Sequence, residues 1–295
     1  MSRHVLLVLA LAGCLGVAAC GGSNDRSGSS ATTSGGAATT GAAAATSGSG
    51  TGTSTASPYN GGDRATSTSS TSAGPNRPAA GSRTRQALKL SSGVDLSYTL
   101  VLPKSYQTVG TRYPVLLALP PGSQGQDEVD ALLDKWWAPE ATKRGWMVVS
   151  PVAPDGQLFF SGSSATLMEL MDSVAATYPP EGGKFHLAGV SNGGLSAYRI
   201  ALDAPERFAS LLIAPGFPPD DADRANLKRL VKIPVASYVG EHDSSWREAS
   251  VRTVRELNRL GGRATLTVSP GEGHVLRKIT ARQLFDVLDK ARPAH

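Results

Sequence analysis

The alternation of strand and helix periods is what most limits the fold this chain can adopt. Apolar runs of strand length occur at residues 86–90, 96–102, 114–119, 146–152, 185–190, 210–214, 234–239 and 264–268. The first two flank Ser91-Ser92-Gly93, a hairpin signal, whereas helical periods fill 127–144, 165–178, 193–203, 221–231, 246–260 and 280–291. Strands separated by helices cannot pair as hairpins and need crossover connections. The pattern therefore predicts an α/β domain: a mostly parallel sheet of about eight strands with helices on both faces. Ligand sites in such sheets lie at the carboxyl ends of the strands. In 246–260, Val251, Val254, Leu257 and Leu260 make an apolar face, Arg247, Arg252, Arg255 and Arg259 its solvated side, and Ser245 with Glu248 fits a capping box. Connections between elements are short, so no substantial lid is expected.

Composition divides the 295 residues unevenly. Between residues 21 and 80, 48 of 60 are Gly, Ala, Ser or Thr, and Tyr59 is the only aromatic residue. Such a stretch cannot bury enough apolar surface to offset the entropy of ordering it, so 20–84 is expected to be a disordered tether and 85–295 the folded domain. Five of the 29 basic and two of the 24 acidic residues precede Arg85, which leaves the domain nearly neutral at +2. It has no basic stripe with interleaved aromatics, so no nucleic-acid partner is expected, and a monomer is. Both cysteines, Cys14 and Cys20, lie in the first 20 residues, so the domain has no disulfide, thiolate metal site or cysteine nucleophile.

A short basic start, an apolar run at 5–15 and small residues up to Cys20 read as an export signal over 1–19. Val17-Ala18-Ala19-Cys20 resembles the lipobox of bacterial lipoproteins, which implies cleavage before Cys20 and acylation of its sulfur; Leu11-Ala12-Gly13-Cys14 fits the same pattern. The expectation is an envelope protein held on a bacterial membrane by lipid, with a soluble secreted form as the alternative. A tether of 64 residues would then span about 45 Å.

Gly189-Val190-Ser191-Asn192-Gly193-Gly194 follows a strand and opens a helix, the context of a G-x-S-x-G nucleophile turn. A serine nucleophile needs a base. His4 falls in the signal, His295 ends the chain and His186 lies inside a strand, where a structural role is expected. His274 follows the last strand in a glycine-rich loop and is the candidate base; His242 reads as a loop residue. Asp243, after the strand 234–239, is the candidate orienting acid, with Glu241 and the pair Asp220-Asp221 as alternatives. The resulting chain order is Ser191, Asp243, His274.

Acyl transfer also requires donors for the developing oxyanion. Asn192 N–H is one candidate. The second must come from the loop after the third strand, where Pro120 and Pro121 have no N–H, leaving Gly122, Ser123 or Gln124, with Ser123 preferred. Trp136, Trp137, Phe159 and Phe160 are candidate pocket residues; core packing is the simpler reading of the tryptophans, and the phenylalanines are expected to face a cleft. No metal or organic cofactor is expected.

Residues 96–290 resemble the α/β-hydrolase superfamily, and within it the lidless esterases of the polyhydroxybutyrate depolymerase and feruloyl esterase group and of the phospholipase/carboxylesterase group. The resemblance rests on Tyr113-Pro114-Val115-Leu116-Leu117, Gly145-Trp146-Met147-Val148-Val149, Ser191-Asn192-Gly193-Gly194, Pro205-Glu206-Arg207-Phe208, Gly240 to Asp243 and Gly273-His274. Those families usually carry His-Gly after the third strand, where this chain has Pro121-Gly122. The resemblance implies carboxylic-ester hydrolysis through an acyl-enzyme on Ser191, acting on a small or polymeric ester. A peptidase or acyltransferase with the same triad, and a catalytically silent envelope-binding module, are the competing readings.

Overall fold

The computed structural model describes residues 78–107 and 110–293; the signal, Cys14, Cys20, most of the tether and His295 lie outside the described residues. Eight strands form one sheet in the order β1-β2-β4-β3-β5-β6-β7-β8. They are β1 Arg83–Lys89, β2 Asp95–Val101, β3 Val115–Leu119, β4 Met147–Pro151, β5 Phe185–Gly189, β6 Phe208–Ile213, β7 Val235–Gly240 and β8 Ala264–Ser269. The pairs β1·β2 and β2·β4 are antiparallel and all others parallel, as the alternation requires. Ordered strand begins at Arg83, two residues ahead of the expected boundary. Arg83 pairs with Val101 in the sheet, and its guanidinium bridges Asp130 and Asp134.

The helices are α1 Gln126–Leu132, α2 Ala138–Arg144, α3 Ser164–Thr177, α4 Asn192–Asp203, α5 Asp221–Ala225, α6 Ser244–Arg259 and α7 Ala281–Lys290. Burial on both sides of the sheet follows the period of two. In β3, Val115, Leu117 and Leu119 join a core shared with α3, α4 and α6, whereas Leu116 and Ala118 point into a second core under α1, α2 and α7. Every residue of β3, β4 and β5 is buried. This explains why those runs lack alternation in sequence.

Three local expectations change. The segment 127–144 is helical but not uniform, because a π-helical turn, Leu133–Trp137, joins α1 to α2. The wider turn lets the adjacent Trp136 and Trp137 both be buried. The segment 221–231 breaks after α5 and continues as a 3-10 turn, Leu227–Leu230, with Asn226 Nδ2 bonded back to the Ala222 carbonyl at 2.9 Å. Finally, α6 starts at Ser244, so Ser245 and Glu248 do not form a capping box; the N-cap residue is Asp243.

Candidate active site

Ser191 sits between β5 and α4 with φ 54° and ψ −118°, a conformation costly for a residue with a Cβ. The turn is overdetermined by its neighbours. Ser191 N–H donates to the Pro215 carbonyl at 3.0 Å, and Gly193 N–H to Val190 at 2.8 Å. A Cβ on Gly193 would lie 2.2 Å from the Leu119 carbonyl oxygen, so only glycine lets the helix start this close to β3. The crossing holds the Ser191 hydroxyl at the carboxyl ends of the central strands.

Two loops bring partners to it. Ser191 Oγ is 2.7 Å from His274 Nε2, and His274 Nδ1 is 2.7 Å from Asp243 Oδ2. An ionised carboxylate only accepts, so Nδ1 carries the proton toward Asp243 and Nε2 is left to accept from the serine hydroxyl. The Asp243 side chain is 9% exposed and that of His274 38%, so the acid is shielded while the imidazole remains reachable. The approach of the loops depends on Gly240, whose Cβ would fall 2.0 Å from the Gly273 carbonyl oxygen. The other candidate acids are occupied elsewhere: Glu241 accepts from Gly271 N–H, Asp220 pairs with Arg199 and caps α5, and Asp221 pairs with Arg224. His242 is exposed, and its N–H donates to the Glu272 carbonyl.

Residues that sequence reasoning did not single out brace the His274 loop. Glu272 is buried and its Oε1 accepts from the N–H groups of Arg277 and Lys278 at 2.5 and 2.8 Å. Burial works against its charge, but those N–H groups outweigh it and hold the carboxyl below the usual range. Lys135 Nζ, over the ring of Trp136, donates to the Leu276 carbonyl at 2.7 Å. Behind the imidazole stands Trp246, edge-on at 4.6 Å, with Phe217 4.9 Å beyond it.

The loop after β3 differs from expectation. Ser123, the expected second donor, is engaged elsewhere: its hydroxyl donates to Glu128 Oε1 at 2.8 Å and its N–H faces the same carboxylate. Gln124 N–H is taken by the Pro121 carbonyl at 3.0 Å. That leaves Gly122, at φ 59°, whose N–H has no partner among the described residues. Asn192 N–H begins α4 and has no intrahelical acceptor. The Asn192 side chain ties the two segments together, donating through Nδ2 to the Gly122 carbonyl at 2.8 Å.

Gln124 also has positive φ, at 58°, and a fully buried side chain. Its Nε2 donates to the Pro120 carbonyl and Ser196 Oγ, and its Oε1 accepts from Phe159 N–H. No sequence signal marks a glutamine for this conformation. Glu128 could have been found as an acidic third residue of a helix; its Oε2 accepts Gly125 N–H at 3.1 Å. The Ser123 hydroxyl, with nearby N–H groups, lowers its pKa, so it is ionised at neutral pH.

An apolar pocket of about 380 Å³ opens at Ser191, walled by Leu132, Trp136, Val190, Ala214 and Leu276. Trp136 thus lines the site, whereas Trp137 packs against Phe285 in the core. Phe159 does not face a cleft: it is fully buried in the core shared with α3 and α4, drawn in by its N–H bond to Gln124. Phe160 is half-buried outside the pocket wall, and its carbonyl accepts from Arg199. His186 is buried, bonded through Nδ1 to Ser210 Oγ at 2.7 Å and packed on Trp146; burial pushes its pKa down to about 4. Among the described residues no three His, Cys, Asp or Glu side chains converge as metal ligands, and no helix is long and apolar enough to cross a membrane.

No known family profile and no curated protein matches the chain. Solved structures do. An S-formylglutathione hydrolase from Agrobacterium tumefaciens aligns over 73% of this chain and 96% of its own, with 19% identity and a TM-score of 0.56. Est1E from Butyrivibrio proteoclasticus aligns over 70% and 98%, with 15% identity and a TM-score of 0.54. A thermostable esterase aligns over 64% of this chain, with 19% identity and a TM-score of 0.53, and this chain spans about half of its length, 54%. With the strand order above, these similarities define the α/β-hydrolase fold.

Proposed function

We propose that this chain is a serine hydrolase acting on carboxylic esters. The observation that carries the reading is the continuous pair of 2.7 Å contacts from Ser191 Oγ through His274 to Asp243. Ser191 Oγ attacks the ester carbonyl while His274 Nε2 takes its proton. Asp243 stabilises the imidazolium, and the N–H groups of Asn192 and Gly122 receive the oxyanion. Collapse of the tetrahedral species breaks the bond to the alkoxy oxygen, which leaves with the proton from Nε2. Water, deprotonated by His274, then releases the acyl group and restores the serine.

The apolar pocket at Ser191 receives the acyl group, since its wall includes Gly122 beside the nucleophile. Esterases among the structural neighbours support the ester reading. The test is covalent labelling by a fluorophosphonate, with labelling expected on Ser191 and lost in Ser191→Ala and His274→Ala. An unlabelled wild-type chain that turns over no ester overturns the proposal. Hydrolysis of peptides but not esters would replace it by a peptidase.

Export and lipidation through Cys20 belong to the same reading and rest on the sequence of residues 1–20. Metabolic labelling with a fatty acid tests it: incorporation lost in Cys20→Ser supports the assignment, and loss in Cys14→Ser alone moves the anchor to Cys14.

A further inference from the structure

Arg252, Arg255 and Arg259 on the arginine side of α6 are exposed, as expected, and they also wall a cavity. Arg252, Arg255 and Arg259, with Arg224 of α5 opposite, line a cavity of about 670 Å³ whose floor includes Leu227 and Ala249. Only two acids line it, Asp221 and Glu256, and each is paired with an arginine of its own helix. Arg252 has Glu248 at 3.8 Å, and Arg255 has no ion-pair partner among the described residues. A wall with spare positive charge over a small apolar floor favours an extended anionic guest over a neutral one.

One end of the cavity lies near Asp243 and His274. Ser245, Ala249, Arg252, Glu256 and Arg259 line it at helical spacing along one face of α6. A rise of 1.5 Å per residue makes that stripe about 21 Å long, with the first arginine about 10 Å from its start. Its start, Ser245, lies two residues beyond Asp243. Phe217 lines the cavity and packs on Trp246, which packs on His274. The cavity is separated from the imidazole by the pair Phe217 and Trp246. Because the leaving alcohol must lie against His274 Nε2 to receive its proton, an alcohol arm running out past that aromatic pair would meet the arginines, while the apolar pocket suits the acyl group.

We infer that the groove between α5 and α6 binds the alcohol arm of the ester substrate, and that this arm is an extended chain bearing a carboxylate or phosphate that reaches beyond the pair Phe217 and Trp246. The inference rests on the hydrolase reading and adds the substrate class to it.

Three probes test it: the butyrate ester of an ω-hydroxydodecanoate, its methyl-capped counterpart, and the butyrate ester of dodecanediol monophosphate. Wild type is expected to favour the anionic esters over the capped one by about tenfold in kcat/KM, with the preference shrinking as salt is raised. Preference for one anion alone identifies which source the groove reads, and both results support the inference. The double variant Arg252→Gln, Arg255→Gln should lose the preference, whereas the remote Arg282→Gln should keep it. Should the double variant fail to fold, Arg255→Gln suffices, since it breaks no ion pair. Equal kcat/KM for capped and anionic esters, or a preference surviving in the groove variants, overturns the inference alone. Absence of all turnover together with absence of fluorophosphonate labelling overturns the hydrolase reading with it.

Discussion

Asp243 occupies the N-cap position of α6 yet makes no side-chain cap bond to it; its Oδ2 instead accepts Nδ1–H of His274 at 2.7 Å. A residue type that normally stabilises a helix start is here turned to a neighbouring loop. Its two roles separate experimentally. Asp243→Asn should lower kcat by about three to four orders of magnitude, because an amide cannot hold the imidazole in the required tautomer. The same change should lower stability by less than the ~1 kcal/mol typical of a lost cap. Esterase kinetics beside urea denaturation of the variant check both halves.

Glu128 anchors the loop that presents Gly122, through the Ser123 hydroxyl and Gly125 N–H. Glu128→Ala removes both bonds without touching Ser191, His274 or Asp243. We expect kcat to fall by about 10–100-fold, less than for outright loss of an oxyanion donor, with KM little changed. A variant that loses only KM would show that the loop binds ground-state substrate instead.

Gly193→Ala places a methyl group 2.2 Å from the Leu119 carbonyl oxygen, a backbone atom that β3 holds fixed. The expected cost is about 3 kcal/mol or more, together with loss of fluorophosphonate labelling, because the turn must open. Denaturation midpoint and labelling should change together; a stable, fully labelled variant would contradict the packing described for the turn.

His186 gives a stability effect separable from catalysis. Burial holds it neutral in the fold with a pKa of about 4, whereas the unfolded chain protonates it near 6.5. Between those values the unfolded state binds the extra proton, so stability is full above about pH 6.5 and declines as pH falls toward 4. The full span corresponds to about 3 kcal/mol. Thermal melts across that range should show a shallower acid slope in His186→Asn than in wild type, whatever the starting stability of the variant.

The parts of this architecture that sequence shows are those where residue type and period carry the information. Apolar runs such as 115–119 have no alternation because both faces of β3 are covered, and their spacing by helical segments reports the parallel order. Ser191, Asp243 and His274 could be named because each follows a strand, and the fold gathers the carboxyl ends of β5, β7 and β8. What could not be read depends on backbone geometry or on competition for donors. Nothing in the type of Gln124 announces positive φ, and nothing in Ser123 reveals that Glu128 engages it. Phe159 follows a strand end, as a cleft residue would, but a single hydrogen bond to Gln124 turns that segment inward.

The widened turn Leu133–Trp137 has an evolutionary consequence. Successive residues of a regular α-helix are separated by about 100° around its axis, so loss of one residue from this turn would swing Trp136 by about that angle away from Ser191. Ser191, His274 and Asp243 come from other elements and would be left in register. The wall of the pocket at Ser191 is therefore open to remodelling by single-residue insertion or deletion while the contacts of Ser191, His274 and Asp243 are kept.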